Sequence, residues 1–344
     1  MSQMKEGSGY FKSGNWEGQT VFRELCVIPP SAVPQNRLFI ENSILAIGAG
    51  QDLSTVATIG AYSYSFWNIS CPSLIPTSCW YINKGDGVQA VINQHKGRDI
   101  NHTRYFIHTP TVDDAIQLVP ELSQFIPEQA DNFRFVITVP GRKYSDDEVQ
   151  KQLSKIGYYL SSEPVTVAQM YWSDRSRFRF SLTRLFGTKL VDPLPAEFYV
   201  QAKDLFDRNY PIHSFKAEEL GSTDLHAGLI SQVSNIRNRL LIGVIGRSPP
   251  IVLDLKTPKN TYYKLGILRD AVVDTKYRNR GTANFLASIQ AKHLYDSGVD
   301  IIALDATSEA AEAQVTSLGA QCVGWRRWYV SSKMDNSKVY SLGE

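Results

Sequence analysis

Apolar and polar positions follow a regular succession of strand-like and helix-like stretches along the last third of the chain. Lys264 to Val273 is rich in β-branched and apolar residues and predicts a strand, and Ala283 to Asp296 predicts a helix. Val299 to Leu304 then predicts a buried strand, Ser308 to Ser317 an alanine-rich helix stopping at Leu318-Gly319, and Gln321 to Val330 a closing strand. Similar units recur upstream. Phe133 to Val139 has the strand pattern, Ser145 to Ile156 a helical one with an N-cap candidate and an acidic first turn, and Pro164 to Tyr171 the next strand. Before these, Arg104 to His108 and Thr111 to Gln124 stand as a further strand and helix, the latter with Pro120 where a kink is expected. Such self-similarity points to an internal repeat.

Periodicity breaks over Leu185 to Pro195, at Phe186-Gly187-Thr188 and Pro193-Leu194-Pro195, which sets an expected division into residues 1–190 and 191–344. Past it, Ala196 to Tyr210 and Ser222 to Arg237 predict helices, and Leu240 to Ile245 and Pro250 to Leu255 predict strands. Near the start, the apolar, glycine-punctuated Leu38 to Ile59 and the aromatic-rich Tyr62 to Trp80 predict β structure without a topology.

Between the strand ending at Val273 and the helix starting at Ala283 lies Arg278-Asn279-Arg280-Gly281-Thr282-Ala283. The first turn of a helix carries N–H groups without intrahelical acceptors, and the helix dipole favours an anion there. Gly281 lets a phosphate approach the backbone, Ala283 keeps the next position thin, and Lys276, Arg278 and Arg280 add positive charge. The upstream copy has Thr109-Pro110-Thr111-Val112-Asp113-Asp114 at this place, where two aspartates suit the helix dipole and repel a pyrophosphate.

The loop, with Arg278, Gly281 and Ala283 matching Arg/Gln-x-x-Gly-x-Gly/Ala, resembles the acyl-CoA pyrophosphate loop of the GNAT superfamily of N-acetyltransferases, and the elements after it keep that family's order. The resemblance implies two GNAT-like α/β domains with mixed, mostly antiparallel sheets flanked by helices. The first would be degenerate and the second would bind acetyl-CoA or another acyl-CoA. It also implies that pantetheine pairs with the backbone near Val272 and Val273, the N–H of Val273 facing the thioester oxyanion. Arg278, Asn279, Arg280, Gly281, Thr282 and Ala283 would hold the pyrophosphate, and an amine would attack the thioester directly.

The family's tyrosine acid in the second helix is absent, since Ser308 and Val315 occupy the Asn and Tyr positions of its motif. Tyr329 or Cys322 stands in as the acid candidate, or the thiolate leaves unassisted, its thiol pKa being about 8.5. Asp270 is the first candidate base, with Glu218, Asp224 and His226 behind it. The acceptor is expected to be a small-molecule or peptide amine. Two related alternatives stay open: an aminoacyl-tRNA-dependent transferase, which Ala283-Asn284-Phe285-Leu286 also resembles, and a carrier-protein-dependent one. The missing tyrosine keeps a third, a non-catalytic binding protein.

Composition narrows the field. Lys plus Arg number 36 against 34 Asp plus Glu, a net charge of +2, so no global field selects nucleic acid or membrane. No apolar run approaches the roughly 18 residues of a membrane span. The N-terminus carries no basic-then-apolar signal, and Cys26, Cys71, Cys79 and Cys322 have neither zinc-site nor disulfide-framework spacing, so thiols in a cytoplasmic protein are expected. His95, His102 and His108 lack metal-ligand spacing, and Gly48-Ala49-Gly50 lacks the third glycine of a dinucleotide fingerprint. Arg175 to Arg184 alternates basic with aromatic or apolar residues. It predicts a charged, solvated edge strand, with nucleic acid or an acidic carrier as the alternative use of its basic face.

Overall fold

The computed structural model describes residues 9–12, 22–28, 74–84, 87–97, 103–109, 111–125, 133–140, 146–155, 157–160, 168–172, 175–181, 187–209, 225–231, 239–255 and 261–331. In chain order these form β1 Gly9–Lys12, β2 Phe22–Ile28, β3 Leu74–Lys84, β4 Gly87–Gly97, β5 Thr103–His108 and α1 Val112–Phe125. Next come β6 Phe133–Pro140, α2 Asp146–Ser154, β7 Tyr158–Leu160, β8 Ala168–Trp172, β9 Thr188–Val191 and α3 Tyr199–Asn209. The rest are β10 Leu225–Ser231, β11 Leu241–Arg247, β12 Ile251–Leu255, β13 Thr261–Val273, α4 Thr282–Asp296, β14 Ile301–Ala306, α5 Glu309–Ser317 and β15 Gln321–Ser331.

The described strands join one mixed α/β sheet in the order β1-β2-β3-β4-β5-β6-β15-β8-β14-β13-β11-β10-β9, with β12 on β13 and β7 on β15. Pairing is antiparallel except between β5 and β6 and between β13 and β14. The order is not that of two sheets laid end to end. β8, from before residue 190, lies between β14 and β15, and β15, from the end of the chain, lies between β8 and β6. Trp172, fully buried at the end of β8, packs into one core with Leu286, Leu294, Ile302 and Val315 and donates from Nε1 to the Leu318 carbonyl at 2.9 Å.

The sheet buries an apolar layer on each face. On one face Ala287, Ala291, Leu294 and Tyr295 of α4 cover Ile242, Ile245, Leu268, Val273 and Ile302. On the other, Ala202, Leu205 and Phe206 of α3 cover Ile230, Leu241, Val244 and Val272. Helix α4 lies close because Gly266 has no side chain: a Cβ there would stand 2.8 Å from both Leu294 methyl carbons. Burial of a leucine such as Leu294 contributes about 1.5–3 kcal/mol.

Two expectations change. Ser222 to Arg237 is not a helix over its described part, because Leu225–Ser231 is strand β10. That strand pairs with β9 and β11, and His226 to Ser231 are all buried, so its run of apolar residues has no polar face to reveal the period. The expected helix with Pro120 inside it is present as α1, Val112–Phe125. Residues 175–181 are not an edge strand: 175–177 form a turn and 178–181 run without a strand partner across α4 and α5. There the Arg179 N–H donates to the Leu318 carbonyl at 2.8 Å and the Ser181 N–H to the Ser288 hydroxyl at 3.0 Å. Residues 38–73, His102, 182–184 and 210–224 lie outside the described residues.

Gly319, just past α5, has φ +94° and receives the Arg177 carbonyl so closely that a Cβ would sit 1.9 Å from that oxygen. Gly298 has φ +82° but open space, its nearest neighbour being Lys264 Nζ at 3.8 Å. Gly319→Ala is therefore expected to cost clearly more than Gly298→Ala, whose strain alone is worth about 1 kcal/mol. Urea unfolding of the two variants measures the difference, and equal midpoints would show that residue 177 does not seat against Gly319.

Candidate functional site

β13 and β14 share only three register pairs, Leu265↔Ile301, Gly266↔Ile302 and Ile267↔Ala303. Beyond them β14 continues to Ala306 on β8, and β13 continues to Val273 on β11. The β11–β13 ladder is irregular here: two steps on β11, Val244 to Gly246, face three on β13, Val272 to Arg269. The extra residue lies at Asp270-Ala271, a bulge that turns β13 away from β14. Antiparallel geometry then fixes which groups face the opening. The Asp274 N–H donates to the Ile242 carbonyl at 2.8 Å, so Val272 opposite Val244 is a bonded pair and Val273 opposite Gly243 is not. The N–H and C=O of Val273 accordingly point away from β11, into the gap.

At the end of β13 the chain makes a 3₁₀ turn, Thr275–Tyr277, capped by buried Asp274, whose Oδ1 accepts the Lys276 N–H at 3.0 Å. Asn279 has φ 59° and Gly281 φ 78°, two left-handed residues that swing the chain into α4. Gly281 is the N-cap and supplies no side chain, so the N–H groups of Thr282, Ala283 and Asn284 have no capping side chain at Gly281 and no intrahelical acceptor. The buried Thr282 hydroxyl donates to the Tyr277 carbonyl at 3.1 Å and ties the two turns together. Lys276, Arg278 and Arg280 are exposed around this end, with the Arg280 guanidinium 5.6 Å from the Tyr277 ring centroid. The sequence motif thus folds into a basic, uncapped helix N-terminus.

The end of α3 also reaches this loop, a contribution without a local signal in the sequence. Arg208 Nη1 stands 3.7 Å from Asp274 Oδ2, and Arg278 donates from Nη2 to Asn209 Oδ1 and from Nε to the Val273 carbonyl at 3.2 Å. The corresponding place upstream is built differently. β5 and β6 stay paired through six register pairs, Thr103↔Phe133 to His108↔Thr138. There the Thr111 hydroxyl accepts the Asp114 N–H at 3.1 Å and donates to the Asp114 carboxylate at 2.6 Å, which caps α1 from within.

The candidate proton-transfer residues do not assemble in one place. Asp270 lies on the bulge, at the edge of the opening. Tyr329 is fully buried on β15 opposite Phe135 and Leu160, three strand positions from β13, on the order of 14 Å at about 4.8 Å per strand. Cys322 lies on the same strand opposite Met170, its thiol 3.6 Å from the Gly324 carbonyl. His226 is buried on β10, with β11 between it and β13. Val315 is in the core and Ser308 caps α5 by accepting the Ala311 N–H at 3.1 Å. Glu218 and Asp224 lie outside the described residues. Among the described residues no His, Cys, Asp and Glu cluster could hold a metal ion, and no helix is long and apolar enough to cross a membrane.

Solved structures share the overall fold. The tandem GNAT protein of the clavulanic acid biosynthesis pathway, solved without AcCoA, aligns over 90% of this chain and 98% of its own, with TM-score 0.55 and 14% identity. This chain has the GNAT fold. A GCN5-related N-acetyltransferase from Sphaerobacter thermophilus aligns over 90% of this chain and 96% of its own, with TM-score 0.55 and 13% identity. The GCN5-related glucosamine N-acetyltransferase region of a fungal multi-domain GH3 β-N-acetylglucosaminidase gives TM-score 0.53 at 12% identity, over 90% of this chain and 38% of that one. No protein-family model matches the chain, and no curated protein matches its sequence. The GNAT likeness is therefore one of fold, carried by backbone geometry.

Asp274→Ala removes both the cap of the 3₁₀ turn and the carboxylate facing Arg208, and is expected to cost about 1–2 kcal/mol. Asp274→Asn keeps an acceptor for the Lys276 N–H and is expected to cost less. Chemical denaturation with an unchanged slope checks both, and an Ala variant as stable as the native chain would remove Asp274 from the loop's support.

Proposed function

We propose that this protein is an acyl-CoA-dependent N-acyltransferase, moving an acetyl or longer acyl group from coenzyme A to an amine. One observation carries the reading: the backbone of β13, freed from β14 beyond Ile267, leads directly into the uncapped, basic N-terminus of α4. The residues present fit the co-substrate. Pantetheine has amide groups that suit the open edge of β13 beyond Ile267, as an added strand would. Its pyrophosphate suits the N–H groups of 282–284, with Arg278, Asn279, Arg280 and Gly281 shaping the approach.

Chemistry then needs a neutral amine beside the thioester carbon. The amine nitrogen forms the new C–N bond, negative charge collects on the thioester oxygen, and the N–H of Val273 is the donor assigned to it. Collapse expels CoA as thiolate, and the amine gives up one proton. Asp270, at the bulge, is assigned as the base that accepts this proton directly or through water. The departing thiolate needs no acid from this chain, since its thiol pKa of about 8.5 makes it a fair leaving group and Tyr329 lies buried away from the gap. The acceptor is assigned to the class of small-molecule or peptide amines.

The same reading makes the chain a pair of GNAT-like units, residues 1–190 and 191–344, of which the second binds acyl-CoA. Zipped β5–β6 pairing and the Thr111 cap support a first unit without cofactor. One acyl-CoA per chain is expected.

Calorimetry and thermal unfolding with acetyl-CoA, longer acyl-CoAs and CoA test the proposal. Wild-type protein should be stabilised, by about 2.7 kcal/mol at a ligand concentration 100 times Kd, and Arg278→Ala combined with Gly281→Asp should abolish the effect. Absence of binding to any of these by the wild type would overturn the acyl-CoA reading.

A further inference from the structure

Residues 175–181 are set into the surface between α4 and α5 by several independent contacts. The Phe178 ring lies 6.0 Å from Trp172 and 5.9 Å from Tyr295, the Arg177 carbonyl enters the space over Gly319, and the N–H groups of Arg179 and Ser181 bond to the Leu318 carbonyl and the Ser288 hydroxyl. This seat is next to the first turn of α4. Asn284 Nδ2 is 3.4 Å from the hydroxyl of Ser317, the neighbour of Leu318, and the Asn284 carbonyl accepts the Ser288 hydroxyl at 2.6 Å.

What the fixed backbone displays is unusual for a solvated turn. Phe180 is 40% exposed, its ring edge-on to Phe178 at 6.5 Å, so an apolar face is presented to water. Beside it, exposed Arg179 has no ion-pair partner among the described residues. Arg175, at the far end of the segment, is committed instead to Asp296 at 2.9 Å, a carboxyl held below its usual range by Lys292 first and Arg175 second. A rigid aromatic platform beside an arginine is the chemistry that recognises a phosphorylated nucleoside: the ring stacks on the base and the guanidinium grips the phosphate.

We propose that residues 178–180 dock the adenosine 3′-phosphate end of the acyl-CoA, with Phe180 stacking on adenine and Arg179 binding the 3′-phosphate. The assignment rests on the acyl-CoA reading above and adds a specificity for the nucleotide end, supplied by the half of the chain that lacks its own cofactor loop.

Isothermal calorimetry with CoA, 3′-dephospho-CoA and 4′-phosphopantetheine tests it on wild type and on Arg179→Ala, Phe180→Ala and Arg175→Ala, with apo melting temperatures as the folding control. Wild type should bind CoA about ten-fold more tightly than dephospho-CoA, the scale of one charge-assisted phosphate contact. Arg179→Ala should erase that preference without changing dephospho-CoA binding, and Phe180→Ala should weaken CoA and dephospho-CoA alike while sparing phosphopantetheine. Arg175→Ala should change none of them. Equal binding of CoA and dephospho-CoA by the wild type, or a preference that survives Arg179→Ala, would overturn the nucleotide site while leaving the cofactor reading intact. A wild type that binds none of the three would overturn both.

Discussion

From Leu268 to Val273, β13 is paired on one side only, and the site depends on that asymmetry. A strand with an open edge closes onto the nearest strand unless that neighbour is already engaged. β14 is engaged: its residues Ile302 to Ala306 pair with Trp172 to Ala168 of β8. β13 is engaged as well, through β11 and through a bulge that adds one residue on its side and turns it outward. The gap is thus the result of two ladders pulling in different directions, with Gly266 letting α4 seat on the point where they separate.

That arrangement also ties strands from before residue 190 to strands from after it. β8 belongs to the first half by sequence and to the wall of the gap by position. Its last residue, Trp172, fills the core under α4 and holds the carbonyl at the end of α5. In return β15, the last strand, pairs with β6 over Gly324 to Val330. Neither half has a complete sheet without the other's strand, so loss of either strand would expose ladder edges and a large apolar surface together.

Much of the second half was legible because its signals are local. The helix expected over Ala283 to Asp296 runs Thr282–Asp296 after the turn at Gly281, and the one expected over Ser308 to Ser317 runs Glu309–Ser317, as glycine position and helical period indicate. β10 was missed because Leu225 to Ser231 is a central strand between β9 and β11, and a central strand has no polar alternation to display. The bulge at Asp270-Ala271 depends on pairing with β11, 21 to 30 positions upstream, and the exchange of β8 and β15 on pairing between residues more than a hundred positions apart, neither of which a local pattern reveals. Arg208 and Asn209 escaped for the same reason. They look like the ordinary polar end of a helix until the fold sets them against Asp274 and Arg278.

The two helix N-termini of the repeat show how little chemistry separates a binding loop from a structural one. At α1, a threonine hydroxyl accepts a free N–H and two acidic residues satisfy the dipole, so the end is complete by itself. At α4, the N-cap is glycine, there is no acid in the first turn, and three cations stand nearby, so the helix itself supplies none of the negative charge that its dipole favours. The strands before them differ in the same sense: six parallel pairs close the first place, three leave the second open. One supersecondary unit thus serves at both places, and what separates them is the cap and the strand partner that the second one lacks.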